Sequence, residues 1–460
     1  MNKTISTLLK LNKETTAEVY YVGAYVRDLI RRQKPNRIEV LIRNYPIRSV
    51  TQYLKEHGKV DTTNRKDPCM VFTAGDDVEV SIRFPRKIGH DGWHASYSLR
   101  DDAKTRDFTI NALYLPVTKR VSTKHIIDFF NSRKDIKERR VRSVGNPKSQ
   151  IKRDPGFAMR SIAMAAYLNY KLDTNLFYAI KTVSDGAAKM NTNDMRAYLI
   201  GVLLSKQPSK YLKIMHNSGV LFHVMPELDI CYGVEQNEKY HKYDVFTHSV
   251  LACDNTERDL VLRLAALLHD VGKPQTRDET NKNGGAKVTF YSHEVVSARL
   301  AKKLLKRLGF DKDVVSKVCE LIYLHMYNFE PGKWTEGALR RFIRKAKITE
   351  TELDKLDQFP LFLVRRADRL ANGYPHKEVS YRQELFQKEI LKTYRKSNVF
   401  TINDLDIDGK VLMVTFRLKE GPTVGHVLNH LLSIVMDDQA LNTRETLIDK
   451  ASDYLSEALK

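Results

Sequence analysis

The chain has 460 residues, with 77 lysines and arginines against 56 aspartates and glutamates, which gives a formal net charge of +21. Such a length exceeds what one core usually holds, so several domains are expected. No stretch offers the roughly 18 uninterrupted apolar residues of a membrane span. The positive charge favours a polyanion such as nucleic acid over a membrane as the partner.

The four cysteines are widely separated and lack the close pairs typical of metal or redox sites: Cys69, Cys231, Cys253 and Cys319. They indicate reduced, mostly buried thiols in a cytosolic type of compartment. The first residues, Met1–Ser6, do not have the layout of a secretion signal. We therefore expect a cytoplasmic protein, and the sequence leaves homo-oligomerisation open.

Residues from about 18 to 125 alternate between strand and helix patterns, and from about residue 150 onward nearly everything has helical periodicity. The predicted strands are Val19–Val22, Ile38–Ile42, Glu79–Arg83 and a fourth near Ile126–Phe129. The segment Phe108–Leu113 leads into this fourth strand. A turn at Gly23 joins the first strand to a helix that contains Val26. The predicted fold class is therefore α+β.

A second pattern lies in the helical half, where an apolar run at Leu264–Leu268 ends in His269 and Asp270. Gly272 and Pro274 follow and stop the helix. Further ligand-type residues lie on segments with helical periodicity: His248, His293, His325 and Asp368. Four histidines and two carboxylates on facing helices could bind one divalent ion, or two with a water between them. The alternative is that they are ordinary core or surface residues.

This series resembles that of the HD-domain metal-dependent phosphohydrolases. The resemblance implies that all six side chains bind metal, with His293 and His325 completing a second site. His269 and Asp270 would also act in catalysis. Lys273 could offset charge on a leaving phosphate or could be a solvated lysine at a helix end. Histidine with carboxylate ligands suits Mn, Mg, Co, Ni, Fe or Zn.

Three motifs lie in the first 160 residues. Residues 22–28 are VGAYVRD, residues 106–112 are RDFTINA, and Asp154 and Arg160 belong to a third motif where the helical part begins. In sequence and order, these motifs resemble those of the tRNA nucleotidyltransferase and poly(A) polymerase family. Residues 404–410 and 421–425 extend the resemblance to the end of the chain. It implies a polymerase-β-like head at 1–140, a helical RNA-binding neck at 141–235, an HD domain at 236–375 and a helical tail at 376–460.

The chain departs from this family at two sites, one in the head and one in the neck. Nucleotide addition there uses a pair of aspartates about ten residues after the first motif, where this chain has Arg37 and Glu39. Arginine cannot coordinate a metal. Phe157 stands where the family has a base-selecting arginine, and at best it could stack on a base. We therefore expect a head that no longer polymerises but keeps a degenerate nucleotide-binding site: Gly23, Arg27, Asp28, Glu39, Arg106, Asp107, Asn111, Asp154 and Arg160.

These features leave three hypotheses. The favoured one is an RNA-binding protein whose HD site hydrolyses phosphate or 2′,3′-cyclic phosphate at tRNA or other RNA 3′ ends, or on nucleotides, in tRNA processing or repair. The second is an active tRNA nucleotidyltransferase, with Glu39 and Glu79 in a divergent metal site. The third is a non-catalytic tRNA-binding subunit whose HD metal is structural.

Overall fold

The computed structural model describes residues 2–64, 69–75, 78–89, 92–282, 285–373 and 377–458. The chain divides into two compact units, residues 1–226 and 227–460. The predicted boundaries near 140 and 375 fall inside these units and remain predictions. Within the described ranges, no helix combines the length and the apolar character needed to cross a bilayer.

Among its described residues, the first unit contains eleven strands. They are β1 Glu18–Val22, β2 Ile38–Arg43, β3 Lys59–Asn64, β4 Cys69–Thr73, β5 Val80–Arg83, β6 Arg86–Gly89, β7 Gly92–Ala95, β8 Leu113–Pro116, β9 Ile127–Asp128, β10 Arg140–Val141 and β11 Lys171–Leu172. Seven form one mixed sheet in the order β3-β4-β5-β2-β1-β8-β9, in which β2 and β5 run parallel and the other neighbours antiparallel. The remaining four form two separate pairs.

Eleven helices accompany these strands. They are α1 Lys3–Glu14, α2 Ala24–Ile30, α3 Ile47–His57, α4 Leu99–Thr105, α5 Ser132–Lys137, α6 Pro147–Arg153, α7 Gly156–Leu168, α8 Thr174–Thr182, α9 Thr192–Leu203, α10 Pro208–Asn217 and α11 Val220–Val224, with 3₁₀ turns at Thr109–Asn111, Thr123–His125 and Ser184–Lys189. Apolar side chains of β1, β2, β8 and α4 share one core, which includes Val22, Leu41 and Tyr114. This core fixes the ends of β1 and β2, where the head motifs lie.

The second unit is almost entirely helical. Its elements are α12 Pro226–Asp229 at the division, α13 Val245–Asp254, α14 Leu260–Leu268, α15 Lys273–Thr276, α16 His293–Arg307, α17 Lys312–Leu324, α18 Glu336–Ala346, α19 Pro360–Leu370, α20 Lys377–Lys396, α21 Gly409–Phe416, α22 Pro422–Asp437 and α23 Arg444–Ala458, 3₁₀ turns at Glu350–Gln358, Ile402–Asp404 and Gln439–Leu441, and a hairpin of β12 Asp278–Lys282 and β13 Gly285–Thr289. The predicted α+β class is confirmed.

The strand predictions were partly incomplete. The first three strands match β1, β2 and β5, whereas Phe108–Leu113 contains a 3₁₀ turn before β8 begins at Leu113. The strand expected near Ile126–Phe129 is only the two-residue β9. The sequence did not predict β3, because its residues Lys59–Asn64 lack the apolar alternation that identifies a half-buried strand.

Candidate metal centre and nucleotide pocket

All six predicted metal ligands of the second unit come together in one group, called the histidine–aspartate cluster. Its members come from five helices: His248 in α13, His269 and Asp270 after α14, His293 at the start of α16, His325 after α17 and Asp368 in α19. None of the six is more than 6% exposed. The sequence placed them on separate helices, and the fold brings these helices to one buried point.

Gly272 explains how the end of α14 reaches the start of α16. A Cβ atom at this position would lie 2.6 Å from the backbone oxygen of His293 and 2.7 Å from the backbone nitrogen of Ser297. The Gly272 N–H donates to the Ser297 hydroxyl over 2.8 Å. Glycine is therefore required for this close approach, which sets Asp270 beside His293.

The two carboxylate oxygens of Asp270 face different histidines. Its Oδ2 lies 3.2 Å from Nε2 of His269, whereas its Oδ1 lies 3.2 Å from Nε2 of His293 and 3.9 Å from that of His325. On the first side, Nε2 of His248 lies 3.1 Å from Oδ1 of Asp368. Asp270 therefore stands between two sets of ligand atoms that could each hold an ion.

The backbone orients three of the histidines. In each, Nδ1 lies 2.6–2.7 Å from the carbonyl oxygen three residues earlier: His269 with Ala266, His293 with Phe290, and His325 with Ile322. An Nδ1–H that donates to a carbonyl leaves the lone pair on Nε2, which is the arrangement of a metal-binding histidine. The three Nε2 atoms are turned towards Asp270.

Several buried polar atoms of the cluster have no hydrogen-bond partner in the described part of the chain: His248 Nδ1, Asp270 Oδ1 and His293 Nε2. Burying a polar atom without a partner is costly. Imidazole nitrogens with carboxylate oxygens are a donor set that divalent transition metals accept. The side chains present therefore fit one or two divalent cations.

Charge in the cluster is strongly coupled. Burial alone would lower the pKa of His269, but the Asp270 and Asp368 carboxylates outweigh it and raise this pKa to about 10. Burial would raise the pKa of Asp270, yet His269 and Lys273 hold it well below its ordinary value.

Lys273 Nζ donates to Asp270 Oδ2 and to Gln236 Oε1, each over 2.6 Å. Lys273 is thus buried and paired, so it is not a solvated lysine.

Two polar residues beside the cluster were not predicted from the sequence. Gln236 contacts Lys273, and the ring of His241 lies 5.0 Å from that of His248 between centroids. Burial, with Lys273 and His248 nearby, lowers the pKa of His241 to about 3, so this imidazole is neutral. The signal that could have identified His241 is its spacing of seven residues from His248. However, His241 lies in the loop before α13.

In the first unit, the first head motif forms a braced turn. Gly23 has φ +65° at the start of α2, a conformation that favours glycine. The Arg27 guanidinium pairs with Asp28 at 3.0 Å and donates to Asn111 Oδ1 over 2.9 Å. Both Arg27 and Asp28 are buried, so this network joins the first two head motifs and holds the turn.

Arginines surround the carboxylate of Glu39. It lies 3.1 Å from Arg83 Nε and 3.0 Å from Arg106 Nη1, and a Cβ at Gly23 would lie 2.8 Å from its Oε2. Arg37 and Glu79 are exposed. Among the described residues, two groups of three side chains bring possible metal-ligand atoms together, and both groups belong to the histidine–aspartate cluster. The head side chains therefore do not fit a pair of metal ions.

The third motif joins the head sheet to α7. Arg160 pairs with Asp107 at 2.8 Å and with Asp154 at 2.7 Å. Phe157 is fully buried and stacks on Phe108, with ring centroids 5.4 Å apart. Phe157 is therefore a core residue and is not free to stack on a base, which was the role left open for it.

The chain is similar to known nucleotide-adding enzymes. Residues 19–142 match the Poly A polymerase head domain family, and residues 240–373 match the HD domain family. An A-adding tRNA nucleotidyltransferase of Deinococcus radiodurans is 27% identical over 75% of this chain and 77% of its own. A CCA-adding enzyme of Limosilactobacillus reuteri is 23% identical over 98% and 96%. The crystal structure of the Bacillus stearothermophilus CCA-adding enzyme with CTP superposes with a TM-score of 0.66 at 16% identity, covering 99% and 98%.

These similarities correct the function predicted from the sequence. The favoured hypothesis, phosphate hydrolysis at the HD site, is wrong as the main activity, because relatives that align with 75% and 98% of this chain are named for nucleotide addition. They favour the alternative of nucleotide transfer. The catalytic roles predicted for His269, Asp270 and Lys273 belonged to the hydrolysis hypothesis, and the ligand roles of His269 and Asp270 remain predictions.

Proposed function

The chain belongs to the tRNA nucleotidyltransferase and poly(A) polymerase family with an HD domain, and we propose that it adds nucleotides to the 3′ end of tRNA. The observation that carries this proposal is the length of the match, 98% of this chain, to a CCA-adding enzyme. Since another relative is named as A-adding, the nucleotide added is C, A or both in succession.

The head holds two guanidinium groups in fixed positions, and we propose that they contact the triphosphate. Arg106 is held by Asp102 at 2.9 Å and by Glu39 at 3.0 Å, and Arg83 pairs with the same Glu39. Guanidinium groups pre-positioned in this way can bind phosphate oxygens without reorganising. In this proposal, Glu39 is a positioning residue for Arg83 and Arg106, and no metal-dependent step is assigned to the head.

Arg160, which lies in α7, connects this helix with the second head motif. Because it contacts Asp107 after α4 and Asp154 before α7, it fixes the position of α7, the second helix of the predicted neck, relative to the end of α4. A small misplacement of a bound substrate can cost about a hundredfold in rate. Arg160 is therefore proposed to position the incoming nucleotide through these two carboxylates.

The test is incorporation of labelled CTP and ATP into tRNA transcripts that end before CCA, after the first C or after the second C. We expect addition to at least one transcript, and the set that is extended distinguishes A addition from CCA addition. In Arg160→Gln we expect kcat/KM to fall about 10- to 100-fold. KM for the nucleotide should change, whereas Tm should stay close to that of the wild type.

The matched control is Arg100→Gln, because Arg100 is an exposed arginine of α4 in the same unit. This variant should add nucleotides at the wild-type rate. If no transcript is extended with either nucleotide, the proposed function is excluded. If Arg160→Gln adds nucleotides with unchanged KM, the proposed role of Arg160 is excluded while the function stands.

We also propose that the histidine–aspartate cluster binds one or two divalent ions, from Mn, Mg, Co, Ni, Fe or Zn. His248, His269, Asp270 and Asp368 would hold one ion, and His293, His325 and Asp270 the other. Each bound ion would supply positive charge to the buried carboxylates and would cross-link three helices, and two ions together would cross-link five, which stabilises the second unit. Elemental analysis should find metal in the purified chain, and EDTA should lower its Tm. Absence of metal after growth with each ion would contradict this role.

A further inference from the structure

A group of arginines lies next to the histidine–aspartate cluster. Arg365 and Arg369 are one helical turn apart in α19, and Arg382 comes from α20. Together with Tyr327, Gln383 and neighbouring side chains they line one small cavity, here called the arginine pocket. Three guanidinium groups around one cavity repel each other unless an anion lies between them, so the pocket has the charge of an anion site.

Arg365 links the pocket to the cluster. Its Nη1 donates to Asp368 Oδ2 over 2.9 Å, while Oδ1 of the same carboxylate lies 3.1 Å from His248 Nε2. The guanidinium carbon lies 5.6 Å from the centre of the Tyr327 ring. Arg365 Nε is buried and has no hydrogen-bond partner among the described residues. An unpaired buried donor of a charged group indicates a missing acceptor.

The acidic groups near the pocket do not balance its arginines. Asp368 is shared between Arg365 and His248, and Glu330, which lines an adjoining cavity with Arg382, is paired with Lys333. In the described part of the chain, Arg369 forms no ion pair with an acidic side chain. Counted over the described side chains, the pocket thus keeps an excess of positive charge, partly shielded from solvent.

We propose that the arginine pocket binds a phosphate group, carried either by a nucleotide or by an RNA end. The planar donors of guanidinium match phosphate oxygens in two parallel hydrogen bonds. The enclosed volume, about 20 Å³, holds only a water. The phosphate therefore binds at the mouth, beside the exposed Arg382. This binding site is additional to the proposed nucleotide transfer, whose residues lie in the first unit.

The experiment measures binding to the full chain by calorimetry in the presence of EDTA, so that metal does not contribute. The probes are inorganic phosphate, adenosine 5′-monophosphate, and a short RNA with either a 3′ phosphate or a 3′ hydroxyl. We expect binding of at least one phosphate-bearing probe, weakened about tenfold or more in Arg369→Gln and in Arg382→Gln. Arg366→Gln is the matched control, because Arg366 is exposed on the same helix and does not line the pocket.

The two sources of phosphate give different results. Binding of the mononucleotide but not of the RNA identifies a nucleotide, and preference for the 3′-phosphorylated RNA over the 3′-hydroxyl RNA identifies an RNA end. The proposal is overturned if no probe binds at millimolar concentration, or if both pocket variants bind as the wild type does. If Arg369→Gln does not fold, Arg382→Gln decides, because Arg382 is exposed. If the chain binds phosphate in this way but adds no nucleotides, the proposed phosphate site is supported and the proposed function is excluded.

Discussion

Two regions hold buried or half-buried carboxylates among basic groups: Glu39 and Asp102 in the head, and the histidine–aspartate cluster in the second unit. The two regions satisfy these carboxylates differently. In the head, Glu39 is paired with two arginines, and Asp102 accepts from Arg106 and from the Tyr114 hydroxyl at 2.7 Å. In the cluster, Asp270 Oδ1 has no hydrogen-bond partner among the described residues, although His293 Nε2 lies 3.2 Å away.

The difference teaches which carboxylates can still accept a cation. A guanidinium cannot be deprotonated at any ordinary pH and blocks the oxygens it pairs with. An imidazole can instead release its proton, and it then offers a lone pair and leaves room for an ion. The head is therefore organised by permanent internal charge, whereas the cluster is organised to receive charge from outside. Each prediction below changes one group on one side of this contrast.

The largest effect is expected from Arg106→Gln in the head. Asp102 is 2% exposed, and removing one partner of a buried ion pair costs about 3–5 kcal/mol because the other charge stays buried. Hydrogen exchange of peptides from β1 and β8 should report this loss as faster opening. The exposed Arg100→Gln should change opening by less than about 0.5 kcal/mol. Similar exchange in both variants would mean that the head does not depend on this pair.

The next effect is expected from Asp270→Ala in the cluster. Since each oxygen of Asp270 faces a different set of histidines, both ions lose a ligand together. We expect metal affinity to fall by at least about a hundredfold, a loss as large as second-shell changes can produce. The measurement is competition with a chelating indicator. Asp313→Ala, at an exposed acid in the first turn of α17, should bind metal normally, and equal affinity in both variants would remove Asp270 from the site.

The contrast also explains what the sequence could predict. The six side chains of the cluster were all singled out, because metal ligands must be particular residue types and each stood on a periodic helical segment. That they bind metal remains a prediction. His241 was missed because it lies in a loop, and the pairing of Lys273 with Gln236 depends on a contact between distant segments. In the head, the sequence identified Glu39 but not its partners, since Arg83 and Arg106 reach it only across neighbouring strands and α4. The length of the match to nucleotide-adding enzymes, not the head residues alone, corrected the predicted function.

A third prediction concerns proton release when metal binds. The raised pKa of His269, about 10, means that the metal-free cluster holds a proton on this imidazole at pH 7 to 9, and an ion must displace it. Metal affinity should therefore rise about tenfold per pH unit in this range and level off as pH approaches 10. Calorimetry in buffers of different ionisation enthalpy should show about one proton released per ion bound beside His269. In His269→Asn that release should disappear, and unchanged release would place the proton elsewhere.

The smallest effect is expected from Phe157→Leu. This variant tests whether the buried Phe157 ring takes part in nucleotide choice. Phe157 is stacked on Phe108 and lies under the Arg160 guanidinium, 5.5 Å from the ring centre. A leucine keeps most of the buried apolar volume, so the cost in stability should be about 1 kcal/mol. The ratio of C to A incorporated should stay unchanged, because a core side chain does not contact the base. Phe222→Leu, at a 55% exposed phenylalanine of α11, is the control and should cost less than about 0.5 kcal/mol. A changed ratio in Phe157→Leu alone would mean that Phe157 leaves the core when a nucleotide binds, and the head would then be less fixed than its arginine pairs indicate.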